Sequence, residues 1–465
     1  MNYKKEYWDI ANIAVEQAAK AGRKAGAAVA AEAFVSDTET IQVNVSGRAV
    51  EQMNAVKEAG IGVRVLRDGR MAFGSTNDLS ANAVGALAES LVQKVVFHTA
   101  DEFNTLPDAA DGGLAAGPAG FEDLDAYDEK VAAVPVQDKI KTALRMEAAG
   151  LEYSPKIAGS MMTIYQDGTV YTYLANSKGV GGWFRQSYVA GALELTAAEG
   201  ESRESGSFTK GVVRWADFDA DEIGKKAAEM AVSMLGAKPI PSAEMPLVVS
   251  PEIGTQLWSF LAAMLSADEV QKGRSLFAGK IGAEVAAKGF TLIDDGRLIG
   301  ATSTAPVDGE GVASQTTPLI VEGVLKTYLH DCYTAKKGQA RSTGNHGRDG
   351  YSSAGGIGTT NLYLKPGEVA PEAIIAGIDR GFYLTVVLGL FAAIDQASGD
   401  FSIPSAGFLI EKGKKTVPVR GVTVGGNLFE LLKAVDKVGS DLTWFQSLGS
   451  PTVSVSHVKI GGAGG

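Results

Sequence analysis

Near the N-terminus, Tyr7, Ile10, Ile13, Ala14, Gln17, Ala18 and Ala21 recur at three- and four-residue spacing, which predicts an amphipathic helix ending near Gly22 to Gly26. The period then changes to two. Ile41, Val43 and Val45 alternate with polar residues, as do Ile61, Val63 and Val65 ahead of Asp68-Gly69 and the run Met71 to Phe73, a hairpin pattern. Asn77 or Asp78 can cap a second helix from about Leu79 to Phe97, with Leu87, Leu91 and Val95 on one face. Residues 107–120, PDAADGGLAAGPAG, have no periodicity and read as a linker, which leaves 1–106 as an N-terminal α+β domain. A helix from about Asp128 to Gly150, strands with turns at Asp167-Gly168 and Asn176 to Gly179, and a helix from Asp219 to Gly236 make a middle α+β segment, 121–240. Lys238-Pro239-Ile240-Pro241 closes it. Short strands dominate 241–465, with helices expected near 251–267, opened by Ser250-Pro251, and near 371–379 and 427–438. Strand clusters joined by hairpins indicate an α+β fold: an N-terminal helix and antiparallel-strand domain, then a strand-rich, predominantly antiparallel β C-terminal domain.

Composition narrows the function. Apolar residues make up 45% of 465 and can build a large core, and the 57 glycines, roughly 12% against about 7% in average usage, favour tight turns over a helical bundle. Formal charge is −11 with no Lys/Arg block, which argues against nucleic-acid binding. The longest apolar run, Phe382 to Ile394, falls short of the roughly 20 residues that span a bilayer, so no membrane association is expected. Lys4, Lys5, Glu6 and Asp9 do not resemble a secretory signal, and a single cysteine, Cys332, excludes an intrachain disulfide and fits a reducing compartment, taken as the cytoplasm.

Most enzymatic chemistries are poorly supported. The four histidines, His98, His330, His346 and His457, are not spaced as zinc ligands. In a strand Cys332 and His330 would share a face, yet a buried thiol beside a surface histidine is the more economical reading. Ser207 to Lys210 is an S-x-x-K in a polar loop without companion motifs, and Asp294-Asp295-Gly296 reads as a turn. Gly355-Gly356-Ile357-Gly358 precedes a strand-like run, the wrong order for a phosphate loop. The densest polar cluster runs from Lys336 to Gly350, where Arg341 and Arg348 with backbone amides could meet a carboxylate or peptide carbonyl.

From about Leu247 onward, G-R-S-L-F-A-G-K-I-G (273–282), T-L-I-D-D-G (291–296), D-G-E-G-V-A-S-Q (308–315), L-I-V-E-G-V-L-K-T-Y (319–328), R-S-T-G-N (341–345), S-G-D-F (398–401) and V-G-S-D-L (438–442) follow one another. In this order they resemble the TldD/PmbA family, once labelled modulators of DNA gyrase and understood as subunits of a zinc metallopeptidase. In the TldD branch an H-E-x-x-x-H helix lies just before the G-x-S segment, and a cysteine near the C-terminus completes the metal site. Counting back from Gly273 puts that motif on Trp258, Ser259, Phe260, Leu261, Ala262 and Ala263, and the cysteine near Ser450. With these ligands missing, the resemblance implies the PmbA/TldE-like branch: a subunit with no metal and no catalytic residue of its own, and no cofactor in this chain. Zinc is expected in a TldD-like partner forming a heterodimer, with a homodimer in isolation as an alternative. The implied substrate is an unfolded or extended peptide, and Arg341, Ser342, Thr343, Asn345 and Arg348 are the candidates for lining its path. Two rival readings stay open: a regulatory protein acting on gyrase or a similar partner, and an autonomous peptidase with a different site.

Overall fold

The computed structural model describes residues 3–462. Helix α1 (Lys5–Lys24) precedes strands β1 (Ala30–Ser46), β2 (Ala49–Arg67) and β3 (Arg70–Thr76) and helix α2 (Ala81–Lys94). After the 107–120 segment come α3 (Glu129–Ala133), α4 (Val136–Leu151), β4 (Ile157–Asn176), β5 (Gly181–Glu199), β6 (Ser202–Val212) and α5 (Ala220–Ser233). The six strands form one antiparallel sheet in the order β3-β2-β1-β4-β5-β6. The expected division between 1–106 and 121–240 therefore does not separate two sheets, because β1 pairs with β2 on one side and β4 on the other. The 107–120 segment is pinned across the surface by bridges from Gly113 to Val312 and from Ala115 to Gly181.

The two-residue period of these strands sorts their side chains by chemistry. Odd-numbered positions of β1 and β4, namely Ala31, Ala33, Val35, Tyr171 and Tyr173, pack under α1 and α2, while Val43, Val45 and Tyr165 pack under α4 and α5. Helix α1 meets the sheet through Ala11, Ala14 and Ala18, small side chains that allow a close approach. The even-numbered positions, including Glu32, Phe34, Ser36, Thr172 and, on β2, Arg64, lie on the opposite face, which the C-terminal half covers.

That half runs β7 (Ala243–Val249), α6 (Pro251–Met264), α7 (Ala267–Gln271), β8 (Leu292–Asp295), β9 (Thr316–Val321), β10 (Val324–Leu325), α8 (Cys332–Lys337), β11 (His346–Gly347), β12 (Gly356–Ile357) and β13 (Leu362–Leu364). It continues with α9 (Pro371–Ala376), β14 (Arg380–Val387), α10 (Leu390–Ala393), β15 (Asp400–Glu411), β16 (Lys414–Asn427), α11 (Leu428–Lys433), β17 (Val435–Val438), β18 (Thr443–Phe445), β19 (Leu448–Ser450) and β20 (Val453–Gly461). Two six-stranded sheets result, β10-β9-β8-β13-β19-β18 and β16-β15-β14-β7-β20-β17, the second curling back through a β16–β20 pairing. Pairing is antiparallel except for β7 with β14 and β13 with β19. Helix α6 is buried in their shared core, with Leu257, Trp258, Phe260 and Leu261 packed inward. Among the described residues no helix is long and apolar enough to cross a membrane.

Several local expectations are corrected. Ser80, not Asn77 or Asp78, caps α2 by accepting from the Ala83 amide. Pro135 divides the helix expected over 128–150, since it cannot donate to the preceding turn. Asp167-Gly168 is no turn: it lies inside β4, where Asp167 is buried and accepts from the ammonium of buried Lys139 at 2.7 Å. Ser207 to Lys210 belongs to β6, with Lys210 paired to Glu222. Cys332 opens helix α8 instead of lying in a strand, and His330 beside it is buried, not on the surface. The helix expected over 427–438 stops at Lys433 and gives way to β17.

Candidate functional site

Two clefts flank the ribbon formed by β11 and β12. The first, about 510 Å³, lies between the even face of the N-terminal sheet and the C-terminal loops. Phe34, Ser36, Thr172 and Gln186 line it from the sheet, and Asp308, Asn345 and Arg348 from the loops. The second, about 630 Å³, runs beside α6 and is lined by Phe260, Ala263, Met264, Asp331, Tyr333 and Phe391 among others.

The R-S-T-G-N stretch is distributed unevenly over this geometry. Arg341 is exposed and lines neither cleft. Ser342 and Thr343 turn inward, both hydroxyls donating to the His330 carbonyl, at 3.2 and 3.1 Å. Asn345, 3% exposed, reaches the first cleft and donates from Nδ2 to Asp294 Oδ2 at 2.7 Å and to the Gly358 carbonyl at 3.0 Å. Asp294, read from the sequence as part of a turn, is instead a buried strand residue that also accepts from the amide and hydroxyl of Thr360. Burial raises its carboxyl above the ordinary value, although these donors oppose the shift.

Arg348 lines the first cleft as well, and its guanidinium is held by partners from both halves of the protein. Its side chain is 1% exposed, pairs with Glu32, donates from Nε to the Gly309 carbonyl at 2.8 Å and from Nη1 to the Ser353 carbonyl at 3.3 Å, and lies 4.9 Å from the Phe34 ring centre. Glu32 also accepts from Arg64 at 2.8 Å, and Arg64 bonds Glu310 at the same distance. Glu310 in turn accepts from the Cys332 amide at 2.9 Å. A chain of buried charges thus ties the N-terminal sheet to the C-terminal half. Burial would raise the Glu310 carboxyl, but the His346 imidazole and the Arg64 guanidinium hold it at about 2; burial and the neighbouring Glu310 push Asp308 up to about 7. Burial together with Glu310 drives the Cys332 thiol upward, away from nucleophilic character. None of Glu32, Arg64, Asp308 and Glu310 had been singled out as a functional residue, although Asp308 and Glu310 lie in the D-G-E-G motif.

Two of the counted metal-site positions meet, Trp258 on α6 and Ser450 on β19. The Trp258 indole donates to Ser450 Oγ at 2.9 Å, and Gly254, one turn earlier, approaches so closely that a Cβ there would lie 2.2 Å from that oxygen. Trp258 is buried against the Phe290 ring, whereas Ala263 faces the second cleft. An indole, a methyl group and a hydroxyl already bonded to both Trp258 and the Pro451 carbonyl do not make a zinc-binding donor set. The residues present here do not fit that metal.

Comparison with known proteins places these features in a family. Residues 31–95, 129–235 and 242–462 match, in order, domain 1, the central domain and the C-terminal domain of the PmbA/TldA metallopeptidases. A PmbA metalloprotease homologue from Haemophilus influenzae is 26% identical, the match covering 97% of this chain and 95% of that protein. A solved structure from Bacteroides thetaiotaomicron, labelled a DNA gyrase modulator, is 26% identical with a TM-score of 0.86, covering 98% of each chain. TldE from Thermococcus kodakarensis, at 20% identity, shares the fold with a TM-score of 0.84 over 96% of this chain and 99% of that one. Three consecutive domain matches, full-length coverage of a PmbA relative and the common fold together make the chain a member of the PmbA/TldD family.

Proposed function

We propose that this chain is the PmbA/TldE-type subunit of a two-chain peptidase acting on unfolded or extended peptides, its TldD-type partner carrying the zinc. The observation that supports this reading best is the Trp258–Ser450 hydrogen bond: two positions 192 residues apart, matched by counting to a metal ligand and its cysteine companion, meet in space and hold an indole and a hydroxyl. The framework of such a site is kept while its chemistry is absent. In this reading the clefts on either side of the β11–β12 ribbon serve the peptide path, and Asn345 is the member of the R-S-T-G-N stretch placed to meet a main-chain group.

Assembly tests the proposal. The chain is mixed with a family member bearing H-E-x-x-x-H and followed by native mass spectrometry, and a 1:1 complex is expected. A chain that ignores such a partner but is retained by immobilised gyrase, with nuclease present, would favour the regulatory reading carried by the label of the Bacteroides relative.

A further inference from the structure

Strand β2 changes character near Gly60. From Ile61 onward β3 pairs along its outer edge, but from Ala49 to Gly60 it pairs with β1 alone, so its second row of backbone N–H and C=O groups has no partner strand among the described residues. Every residue from Ala49 to Glu58 is exposed, on both faces of the strand, and Val50, Met53 and Val56 leave 39, 41 and 51% of their surfaces open to solvent. A strand edge of this length is a template for pairing with another strand, and folded proteins ordinarily blunt it with proline, a bulge or lysines. Here no proline falls between Ala49 and Gly60, the pairing with β1 runs without a register shift from Gln52 to Leu66, and Lys57 is the sole cation of the stretch. We propose that this edge is where a second copy of the chain docks, β2 against β2, so that the two N-terminal sheets become one continuous sheet.

The charges along the edge favour a second copy as its occupant. Two antiparallel strands related by a twofold axis perpendicular to the sheet share their faces, so one residue sits opposite itself and residues equally spaced from it oppose one another. With Asn54 on the axis, Glu51 of each copy faces Lys57 of the other, Val50 faces Glu58, Gln52 faces Val56, Met53 faces Ala55, and no like charges meet. With the axis on Met53, Glu51 and Lys57 would both oppose alanines, and with it on Ala55 they would oppose Ala59 and Met53. The register centred on Asn54 therefore pairs the charges, twice in each dimer. Lys57 is free to take part, since its one ion pair within the chain, to Glu39, leaves its side chain 64% exposed. The pairing needs neither zinc nor a TldD-type chain, so it stands apart from the peptidase reading.

Sedimentation velocity on the full chain alone, over a concentration series, is the test. The wild-type chain should dimerise. Glu51→Lys sets lysine opposite lysine at two places and should weaken the dimer at least about tenfold, as should Lys57→Glu by setting glutamate opposite glutamate, while the double variant Glu51→Lys, Lys57→Glu should restore it. Both positions are exposed, so the fold is not at stake. Asn54→Cys reports the register: paired strands hold opposed Cα atoms about 4.5–5.5 Å apart, within disulfide reach, so mild oxidation should cross-link this variant and not Glu201→Cys on the exposed β5–β6 turn. A dimer indifferent to Glu51→Lys, or one that the double variant fails to restore, overturns the proposal. So does a wild-type chain that stays monomeric; if that monomer still forms the 1:1 complex with an H-E-x-x-x-H-bearing partner, the proposed function survives and this interface alone is lost.

Discussion

Replacing Arg348 with alanine removes one cation from the buried chain that joins the two halves of the protein. The loss strips Glu32 of one of its two partners, leaving Arg64 alone, and orphans the carbonyls of Gly309 and Ser353. Breaking a buried ion pair by deleting one member costs about 3–5 kcal/mol, because the remaining charge stays desolvated. For a cooperative unit of 150–250 residues each kcal/mol lowers Tm by about 2–4 °C, so the expected fall is about 6–20 °C. Arg341→Ala is the internal control: its side chain is exposed, and such changes stay within about 0.5 kcal/mol. Calorimetry on both variants makes the comparison, and Glu32→Gln with the double variant completes a cycle in which a coupling of about 0.5–3 kcal/mol is expected. An Arg348→Ala variant melting within 2 °C of wild type would refute the view that this guanidinium is structural and would return it to the peptide path.

Three further outcomes follow from particular contacts. Ser450→Ala should cost about 1–3 kcal/mol in chemical denaturation, since it leaves the Trp258 indole N–H buried without an acceptor, while Ser450→Thr should recover much of that loss. Trp258→Ala should cost about 3–5 kcal/mol by the same measurement. Glu252, whose carboxyl is pushed up to about 7 by burial, holds its proton more tightly folded than unfolded, so it weakens the fold progressively as pH rises from its ordinary 4.5 to about 7 and by a constant amount above that. Glu252→Gln should therefore raise Tm at pH 8 and leave it unchanged near pH 3.

Much of the architecture was legible because it is written in local periodicity. The odd-even alternation of Ile41 to Val45 and Ile61 to Val65 marked the strands, and the spacing from Tyr7 to Ala21 marked α1. What failed were places where tertiary contacts override local chemistry. Asp167-Gly168 is a strong turn dipeptide, yet Lys139 supplies a buried cation for Asp167 and keeps the pair inside β4. Asp294 was misread for the same reason, its acceptors being satisfied by Thr360 and Asn345 from distant loops. The charge chain was invisible, because Arg64 reaches Glu310 across 246 residues and Arg348 reaches Glu32 across 316, separations that no motif encodes. Arg348 illustrates the limit: a guanidinium in a glycine-rich polar stretch reads as surface chemistry until the sheet that buries it is in place.

The most direct test of the central claim is peptide hydrolysis with metal stoichiometry measured on the same samples. The chain alone, an H-E-x-x-x-H-bearing family partner alone, and their complex are each supplied with an unfolded peptide and analysed for zinc. The account predicts hydrolysis by the complex, its abolition by a chelator, and one zinc per heterodimer held by the partner. Chelator-sensitive hydrolysis by the isolated chain with one tightly held zinc of its own would contradict it.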